Sequence, residues 1–188
     1  MQITVSTQQK LRIEGADRLD PIEVFLDDIA PRQGRITINC YGQSWTAYWG
    51  GMGDRTIAEF ILSCDEDYLA NKLSNMRSSL PDYNGLNQAA KAELLSERRQ
   101  YGISQEEARD LFERLSHSVE RECEIDTDAM HSIFGDEWWH NIPHKPNPDY
   151  QYLCRIINAT KDGIRQAQNL RLIEGVAEST AMEAHANG

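Results

Sequence analysis

A cluster of glycines between a predicted strand and a predicted helix is the segment best placed to bind an anion. Gly50-Gly51-Met52-Gly53 is followed closely by Arg55 and Thr56. Backbone amides in such a loop, together with the helix dipole, can hold a phosphate group. The segment lacks both the G-x-G-x-x-G spacing and the Lys-Ser/Thr pair of a phosphate loop. A tight structural connection is therefore the favoured interpretation. The alternative is a nucleotide- or anion-binding site formed by Gly51, Gly53, Arg55 and Thr56.

Three histidines in the second half of the chain are the candidates for metal ligands. His131, His140 and His144 lie near Cys123 and two acidic residues in the sequence. A zinc site needs three or four ligands that converge at about 2.0–2.3 Å. Pro143 prevents His140 and His144 from sharing one face of a helix. We therefore predict no metal site, and a metal-dependent, nuclease-like enzyme is the second alternative function.

No catalytic set of residues is evident in the rest of the sequence. No serine or cysteine can be assigned a histidine and an acid by spacing alone. The four cysteines, Cys40, Cys64, Cys123 and Cys154, form no C-x-x-C pair, so the sequence contains neither a zinc ribbon nor a redox motif. The sequence favours a protein without catalysis of its own and without a cofactor.

Negative charge dominates the composition and is concentrated in one segment. The formal net charge is −11, which argues against passive binding to nucleic acid or to anionic lipid. Gln105 to Asp128 contains nine acidic residues and three arginines. A solvated helix face is the ordinary interpretation of such a segment. The alternative is a surface for a basic partner, with Glu106, Glu107, Asp110 and Glu113 as the candidate contacts.

The adjacent pair Trp138-Trp139 is a second candidate contact for a partner. Tryptophan contributes a large share of the binding energy at protein interfaces. Neighbouring side chains of an extended backbone point to opposite sides, so one of the two is expected to be exposed. The more ordinary role of such a pair is to anchor a long loop on its domain.

These residues are positioned by a predicted α+β fold, an N-terminal antiparallel β-meander with packed short helices followed by a helical C-terminal half. Alternation of apolar and polar residues predicts strands at 2–5, 9–14, 22–27, 35–41 and 44–49, and Pro21 and Pro31 bracket the third of them. Gly42-Gln43 is predicted to be the type II′ turn of the last hairpin. One face of that hairpin carries Ile36, Ile38, Cys40, Trp45, Ala47 and Trp49.

Helical periodicity and capping residues predict the remaining elements. Thr56 and Glu59 have capping-box spacing, as have Ser104 and Glu107. The predicted helices span 56–63, 65–74, 87–101, 104–119, 126–134 and 149–175. Two of them carry an apolar stripe that is expected to be buried: Ala108, Leu111, Phe112, Leu115 and Val119 in one, and Leu153, Ile156, Ile157, Ile164, Ala167 and Leu170 in the other. Residues 80–85 are predicted to be a boundary loop, and 135–148 to be irregular because of three prolines. The predicted domains are 1–80 and 81–175, with a flexible tail at 176–188; one single domain is left open.

The segment from Tyr41 to Gly53, continued by Thr56–Phe60 and Asp67–Leu69, resembles uncharacterised accessory proteins of lambdoid phages and prophages of enteric bacteria. This resemblance covers about residues 35–73. It supplies no catalytic residue, because no activity of those proteins is established. It implies a small phage protein that binds a host protein, either to block a defence system or to redirect a host process.

The expected function is therefore that of a phage accessory protein that binds and modulates a host protein in the host cytoplasm. Its partner is expected to present a basic surface to residues 105–128. Neither a signal peptide nor a run of about 18 apolar residues is present, so no membrane association is expected. Direct nucleic-acid binding is not expected, and a homo-oligomer is left open.

Overall fold

The computed structural model describes residues 3, 5, 7–100 and 102–173. Contacts group them into two compact units. The first comprises the chain up to Met76 and the chain from Pro148 onward, and the second is Arg77–Asn147. The predicted division into domains 1–80 and 81–175 stays a prediction. The predicted strand at 2–5 falls mostly outside the described residues, and the predicted tail at 176–188 falls wholly outside them.

The described chain contains strands and helices in the α+β order that the sequence predicts. The strands are β1 (Gln9–Ile13), β2 (Ile22–Ala30), β3 (Gln33–Cys40), β4 (Gln43–Trp49), β5 (Ser79–Pro81) and β6 (His144–Pro146). The helices are α1 (Ile57–Ser63), α2 (Glu66–Leu73), α3 (Tyr83–Arg99), α4 (Gln105–Arg114), α5 (Thr127–Phe134) and α6 (Pro148–Asn169). Short 3-10 helices occupy Glu122–Glu124 and Trp138–Asn141.

The first unit is built on a four-stranded antiparallel meander in the order β1-β2-β3-β4. Successive side chains of a strand point to opposite faces of the sheet, so every second residue of these strands packs in one core. The buried strand residues are Leu11, Ile22, Val24, Leu26, Ile36, Ile38, Cys40, Ala47 and Trp49. Helices α1, α2 and α6 supply the other side of this core. The predicted meander with packed short helices is confirmed.

The turn between β3 and β4 differs from the predicted one. Cys40 pairs with Gln43, so Tyr41 and Gly42 are the two connecting residues. Both have positive φ, 47° and 73° respectively. A type I′ turn requires positive φ at both positions and matches the twist of the flanking strands. The predicted type II′ turn at Gly42-Gln43 is therefore wrong by one residue, and strand pairing holds Tyr41 in a conformation that is uncommon for a side-chain-bearing residue.

Side-chain acceptors cap both short helices of the first unit, and the one at Thr56 was predicted. Thr56 Oγ1 accepts from the Glu59 amide at 3.3 Å, and Glu59 Oε2 accepts from the Thr56 amide at 2.9 Å. This reciprocal pair is the predicted capping box. Asp65 Oδ1 accepts from the Tyr68 amide at 2.7 Å and begins α2 in the same way. Side-chain acceptors thus satisfy amides that a helix start would otherwise leave unpaired.

Helix α6 contributes the largest helical surface to the core of the first unit. Leu153, Ile156, Ile157 and Ile164 are all buried, as predicted. Tyr150 of α6 donates its hydroxyl to Asp67 of α2 at 2.9 Å, and burial together with this carboxylate raises the pKa of Tyr150 to about 12. Leu170 was predicted to continue the buried stripe but is 68% exposed.

The end of α6 explains the exposure of Leu170. The amides of Arg171 and Leu172 donate to the carbonyls of Gln168 and Ala167, and Arg171 has a φ of 55°. This is a Schellman-type termination, which ends the helix at Asn169. The predicted continuation to residue 175 is therefore too long: 170–173 are not helical, and 174–175 are not among the described residues.

The second unit is closed by a small ribbon at its two ends. Strands β5 and β6 pair antiparallel, with Leu80 opposite Lys145. Next to this ribbon, Asn147 donates its amide to Ser78 O at 2.9 Å and its side-chain nitrogen to Arg77 O at 2.8 Å. The beginning and the end of the unit are therefore held side by side. Helices α3, α4 and α5 pack around a separate core that includes Leu86, Leu94, Leu111, Leu115, Ile125 and Met130.

This ribbon corrects two predictions. Residues 80–85, predicted to be a loop, contain part of β5 and the first turn of α3, which begins at Tyr83 instead of residue 87. Residues 135–148, predicted to be irregular, contain a 3-10 helix and β6. Proline is tolerated at the edge of a ribbon, where its missing amide need not donate. Pro81 and Pro146 each lie at the end of such a short strand.

None of the helices within the described ranges combines the length and the apolar character needed to cross a bilayer.

Replacing Gly34 with alanine tests the packing of the sheet on α1. A methyl group there would lie 2.7 Å from Met52 Cε and 2.9 Å from Ile57 Cβ. Overpacking of this kind is expected to lower the free energy of unfolding by about 1–3 kcal/mol. Urea denaturation measures the loss. The control is Gly51→Ala, whose added methyl group meets nothing within 4 Å, and equal stability of the two variants would contradict the packing.

Candidate functional site

The glycine loop between β4 and α1 is fixed by contacts within the protein. Met52 is buried, and its amide donates to Arg32 O at 2.9 Å. Gly53 has a φ of 69°, which glycine adopts without strain. Arg55 Nε donates to Met52 O at 3.0 Å, and the guanidinium lies 5.3 Å from the centre of the Phe60 ring. These contacts describe a folded connection.

The start of α1 already has protein acceptors where an anion would bind. Asp28 Oδ1 accepts from the Ile57 amide at 2.7 Å, and the capping box engages the amides of Thr56 and Glu59. A carboxylate at this position also offsets the positive end of the helix dipole. Arg55 Nη1 donates to Ser63 Oγ at 2.8 Å, so this cation is directed along the helix. The geometry favours the structural interpretation of Gly51, Gly53, Arg55 and Thr56 over the anion-binding one.

The histidine-containing segment does not assemble a set of metal ligands. No group of three or more His, Cys, Asp or Glu side chains with metal-binding geometry occurs within the described ranges. His131 Nδ1 lies 3.6 Å from Asp136 Oδ1, and its ring packs edge-on against Trp138 with 6.4 Å between ring centres. His131 therefore packs against Trp138.

The two adjacent tryptophans have different environments. Trp138 is buried in the core of the second unit, whereas Trp139 is 49% exposed. Their rings meet edge-on with 6.2 Å between centres. The expectation that one of the pair is exposed is therefore met by Trp139. Of these two tryptophans, Trp138 packs in the core and Trp139 presents aromatic surface to solvent.

The four candidate acidic residues lie on α4 and are all exposed. Two of them have arginine neighbours on the same helix. Glu113 lies 3.4 Å from Arg109, and Asp110 lies 3.8 Å from Arg114. Such exposed pairs on one helix each contribute only about 0.3–0.5 kcal/mol, so these carboxylates can exchange partners readily. The other two, Glu106 and Glu107, occupy the first turn of α4, where negative charge is favourable.

A groove between α3 and α4 opens on the second unit and is lined largely by apolar surface. Its volume is about 480 Å³. Its walls include Leu95 and Phe112, which are 47% and 40% exposed, and the rim includes Arg98, Arg109 and Glu113. The ammonium group of Lys91 lies 5.5 Å from the centre of the Phe112 ring. Two large apolar side chains from different helices are thus exposed together.

Sequence reasoning did not find this groove. The apolar positions of α4 were predicted to form one buried stripe that included Phe112. In the structure α4 ends at Arg114, so the predicted helix 104–119 is too long. Leu111 and Leu115 are buried, while Phe112 turns toward the groove. The sequence does contain a pattern that indicates this face. Residues 105, 108, 109 and 112 are three or four positions apart, so they lie together on a face of the helix next to the buried one. Glu113 borders the groove, whereas Glu106, Glu107 and Asp110 are not among its lining residues.

A bidentate ion pair joins α4 to the start of α5. Arg114 Nε and Nη2 lie 2.8 Å and 2.6 Å from the two carboxylate oxygens of Asp126. Asp126 Oδ1 also accepts from the Ala129 amide at 3.0 Å and so begins α5. Hydrogen bonding to Arg114, followed by the Ala129 amide, lowers the pKa of Asp126 against the opposing effect of burial. One carboxylate therefore supports two helices next to the groove.

Replacing Arg55 with alanine tests the structural interpretation of the glycine loop. The variant loses two hydrogen bonds and a cation–π contact, so its free energy of unfolding should be lower by about 1 kcal/mol. The melting temperature is measured with and without inorganic phosphate. The same decrease is expected in both buffers. A phosphate-dependent stabilisation of the unmodified protein that disappears in the variant would instead support anion binding.

Replacing Asp126 with asparagine separates its ion pair from its capping role, because asparagine also begins helices well. At neutral pH the variant should be less stable by about 0.5–1 kcal/mol. The pKa of Asp126 is below the ordinary 3.8, so its contribution is complete above that pH and is lost as the pH falls through the lowered pKa. Urea denaturation from neutral to acid pH measures the free energies of unfolding of the two proteins, which should become equal in acid. A difference that does not depend on pH would contradict the role of the Asp126 ion pair.

Comparison with known proteins places the chain in a family. Residues 1–166 match the family model Phage_phiTE_072, which is described as a phage family. A comparison with curated proteins gives no match, and a comparison with solved structures gives none either. The matched range includes the sheet, the glycine loop, α4 and the groove. The chain belongs to this phage family.

Proposed function

We propose that this phage protein is a non-catalytic accessory factor that binds a host protein and modulates or inhibits it. The observation that carries the proposal is the α3–α4 groove, where Leu95 and Phe112 are exposed side by side. Aromatic and aliphatic side chains in a pocket are the usual anchors of protein recognition. A volume of about 480 Å³ accommodates a few inserted side chains of a partner.

The charge around the groove defines the kind of partner. Glu106, Glu107 and Asp110 line the solvent side of α4, and Glu113 borders the groove itself. The groove would accept apolar residues of a partner, and these carboxylates would contact a basic surface of the same partner. Complementary charge speeds association and selects the partner, whereas the apolar contacts carry most of the affinity. The proposed partner is therefore a host protein with a basic surface.

The origin and location of the protein are part of the same proposal. The resemblance carried by residues 41–53 supports a lambdoid phage or prophage of an enteric bacterium as the source. The protein would then act in the cytoplasm of that host. Inhibition of a defence system and takeover of a host process are two outcomes of one binding event, and they differ only in the identity of the partner.

Removing the two groove side chains tests the proposal. The host protein is first isolated from a nuclease-treated enteric lysate on the tagged phage protein, and its dissociation constant is then measured with purified components. The double variant Leu95→Ala and Phe112→Ala is expected to weaken binding by about thirtyfold or more, the loss of a hot spot of about 2 kcal/mol. Both side chains are partly exposed, so the melting temperature should change little.

The control for this experiment is Leu172→Ala, which removes an apolar side chain that is 73% exposed and does not line the groove. It should leave the dissociation constant unchanged. A second arm neutralises α4 through Glu106→Gln, Glu107→Gln, Asp110→Asn and Glu113→Gln, and it should reduce the association rate and its salt dependence. Wild-type affinity in the groove variant, with a folded protein, would exclude the groove as the binding surface.

A further inference from the structure

The two edges of the sheet in the first unit are built differently. Strand β1 carries Lys10 and Arg12, both within ion-pair distance of Glu23. Strand β4, at the other edge, reads QSWTAYW and contains no charge, no proline and no glycine. Proteins commonly protect edge strands with charge, with proline, with short length or with a bulge. Edge β1 has charge, whereas edge β4 has none of these protections.

Strand β4 is also regular and open on its outer side. Its seven residues pair with β3 without a register shift, from Gly34 opposite Trp49 to Cys40 opposite Gln43. No backbone hydrogen bond of the described residues joins its outer edge to another segment. Such an edge presents a row of amides and carbonyls that another strand can pair with.

We propose that a second copy of this chain occupies the β4 edge, so that two β4 strands pair antiparallel about a twofold axis at Thr46. An antiparallel pair centred on the middle residue uses the whole strand. It also keeps buried-face residues beside buried-face residues, because side chains alternate. The two four-stranded sheets then form one continuous sheet with an isologous joint.

The sequence of β4 complements itself in this register. Trp45 lies opposite Ala47 of the second copy on the buried face, and Tyr48 lies opposite Ser44 on the open face. Each pair joins a large side chain to a small one, which avoids crowding at the joint. Trp45 is only partly buried in the single chain, and the second copy covers its exposed part.

The axis residue and the charge pattern favour a second copy over another protein. When an edge strand pairs with a second copy of itself, each charged residue comes close to the same residue of the other copy. This repulsion is unfavourable for β1, whereas β4 contains no charged residue. Thr46 already hydrogen-bonds Thr37 of β3, with 2.9 Å between the hydroxyl oxygens. The joint continues this threonine row across the axis. A single strand buries less area than the about 1,200 Å² of a stable interface, so the dimer should depend on concentration.

Sedimentation velocity across a concentration series tests the proposal with two matched variants. Thr46→Lys places two like charges opposite each other on the axis and should raise the dimer dissociation constant by about tenfold or more. Thr37→Lys loses the same threonine hydrogen bond and adds the same charge on the same face, but on the interior strand. It should leave the dissociation constant close to that of the unmodified chain.

Oxidation supplies a second measurement that does not depend on affinity. Residues opposite each other in an antiparallel pair have Cα atoms about 4.5–5.5 Å apart, within the range that a disulfide spans. In a Cys123→Ser background, which removes the exposed native thiol, Thr46→Cys should form a covalent dimer and Thr37→Cys should not. A chain that is monomeric at every concentration, or equal weakening by both lysine variants, would overturn the proposal. So would a monomer whose Thr46→Lys variant loses a host partner, which would assign the edge to a foreign strand.

Discussion

The short ribbon that joins the two ends of residues 77–147 is the constraint on which the rest of the structure depends. Strands β5 and β6, with the hydrogen bonds from Asn147 to Ser78 and Arg77, bring the beginning and end of the second unit together. Met76 and Pro148 are therefore close in space although they are distant in sequence. This closeness allows α2 and α6 to pack against each other in the first unit, where Tyr150 donates to Asp67.

Each unit uses its polar residues to define the edges of a core. In the first, Asp28 and the capping box fix the start of α1 under the sheet. In the second, Asp126 links α4 to α5 beside the groove. Asp126 is half-buried and accepts from both Arg114 and the Ala129 amide, so it restricts geometry more than an exposed pair does. Asp28 is exposed and accepts from the Ile57 amide alone.

Patterns that reflect local physical chemistry predicted much of the fold. Alternation identified β2, β3 and β4, and capping residues identified the starts of α1 and α4, because both signals act within a few residues. The ribbon of β5 and β6 was not predicted, since its strands are three residues each and depend on a partner distant in sequence. For the same reason, the exposure of Phe112 could not be predicted before the position of α3 was known.

The divided first unit also determines the order in which the chain can fold during synthesis. The sheet and α1 and α2 leave the ribosome first, but Leu153, Ile156 and Ile157 complete their core only after the whole second unit has been made. At about 5–20 residues per second this delay lasts several seconds, during which the part of the sheet that α6 covers stays exposed. The second unit is continuous in sequence and can close on itself in that interval. Nascent chains of this protein are thus most vulnerable to aggregation before α6 emerges.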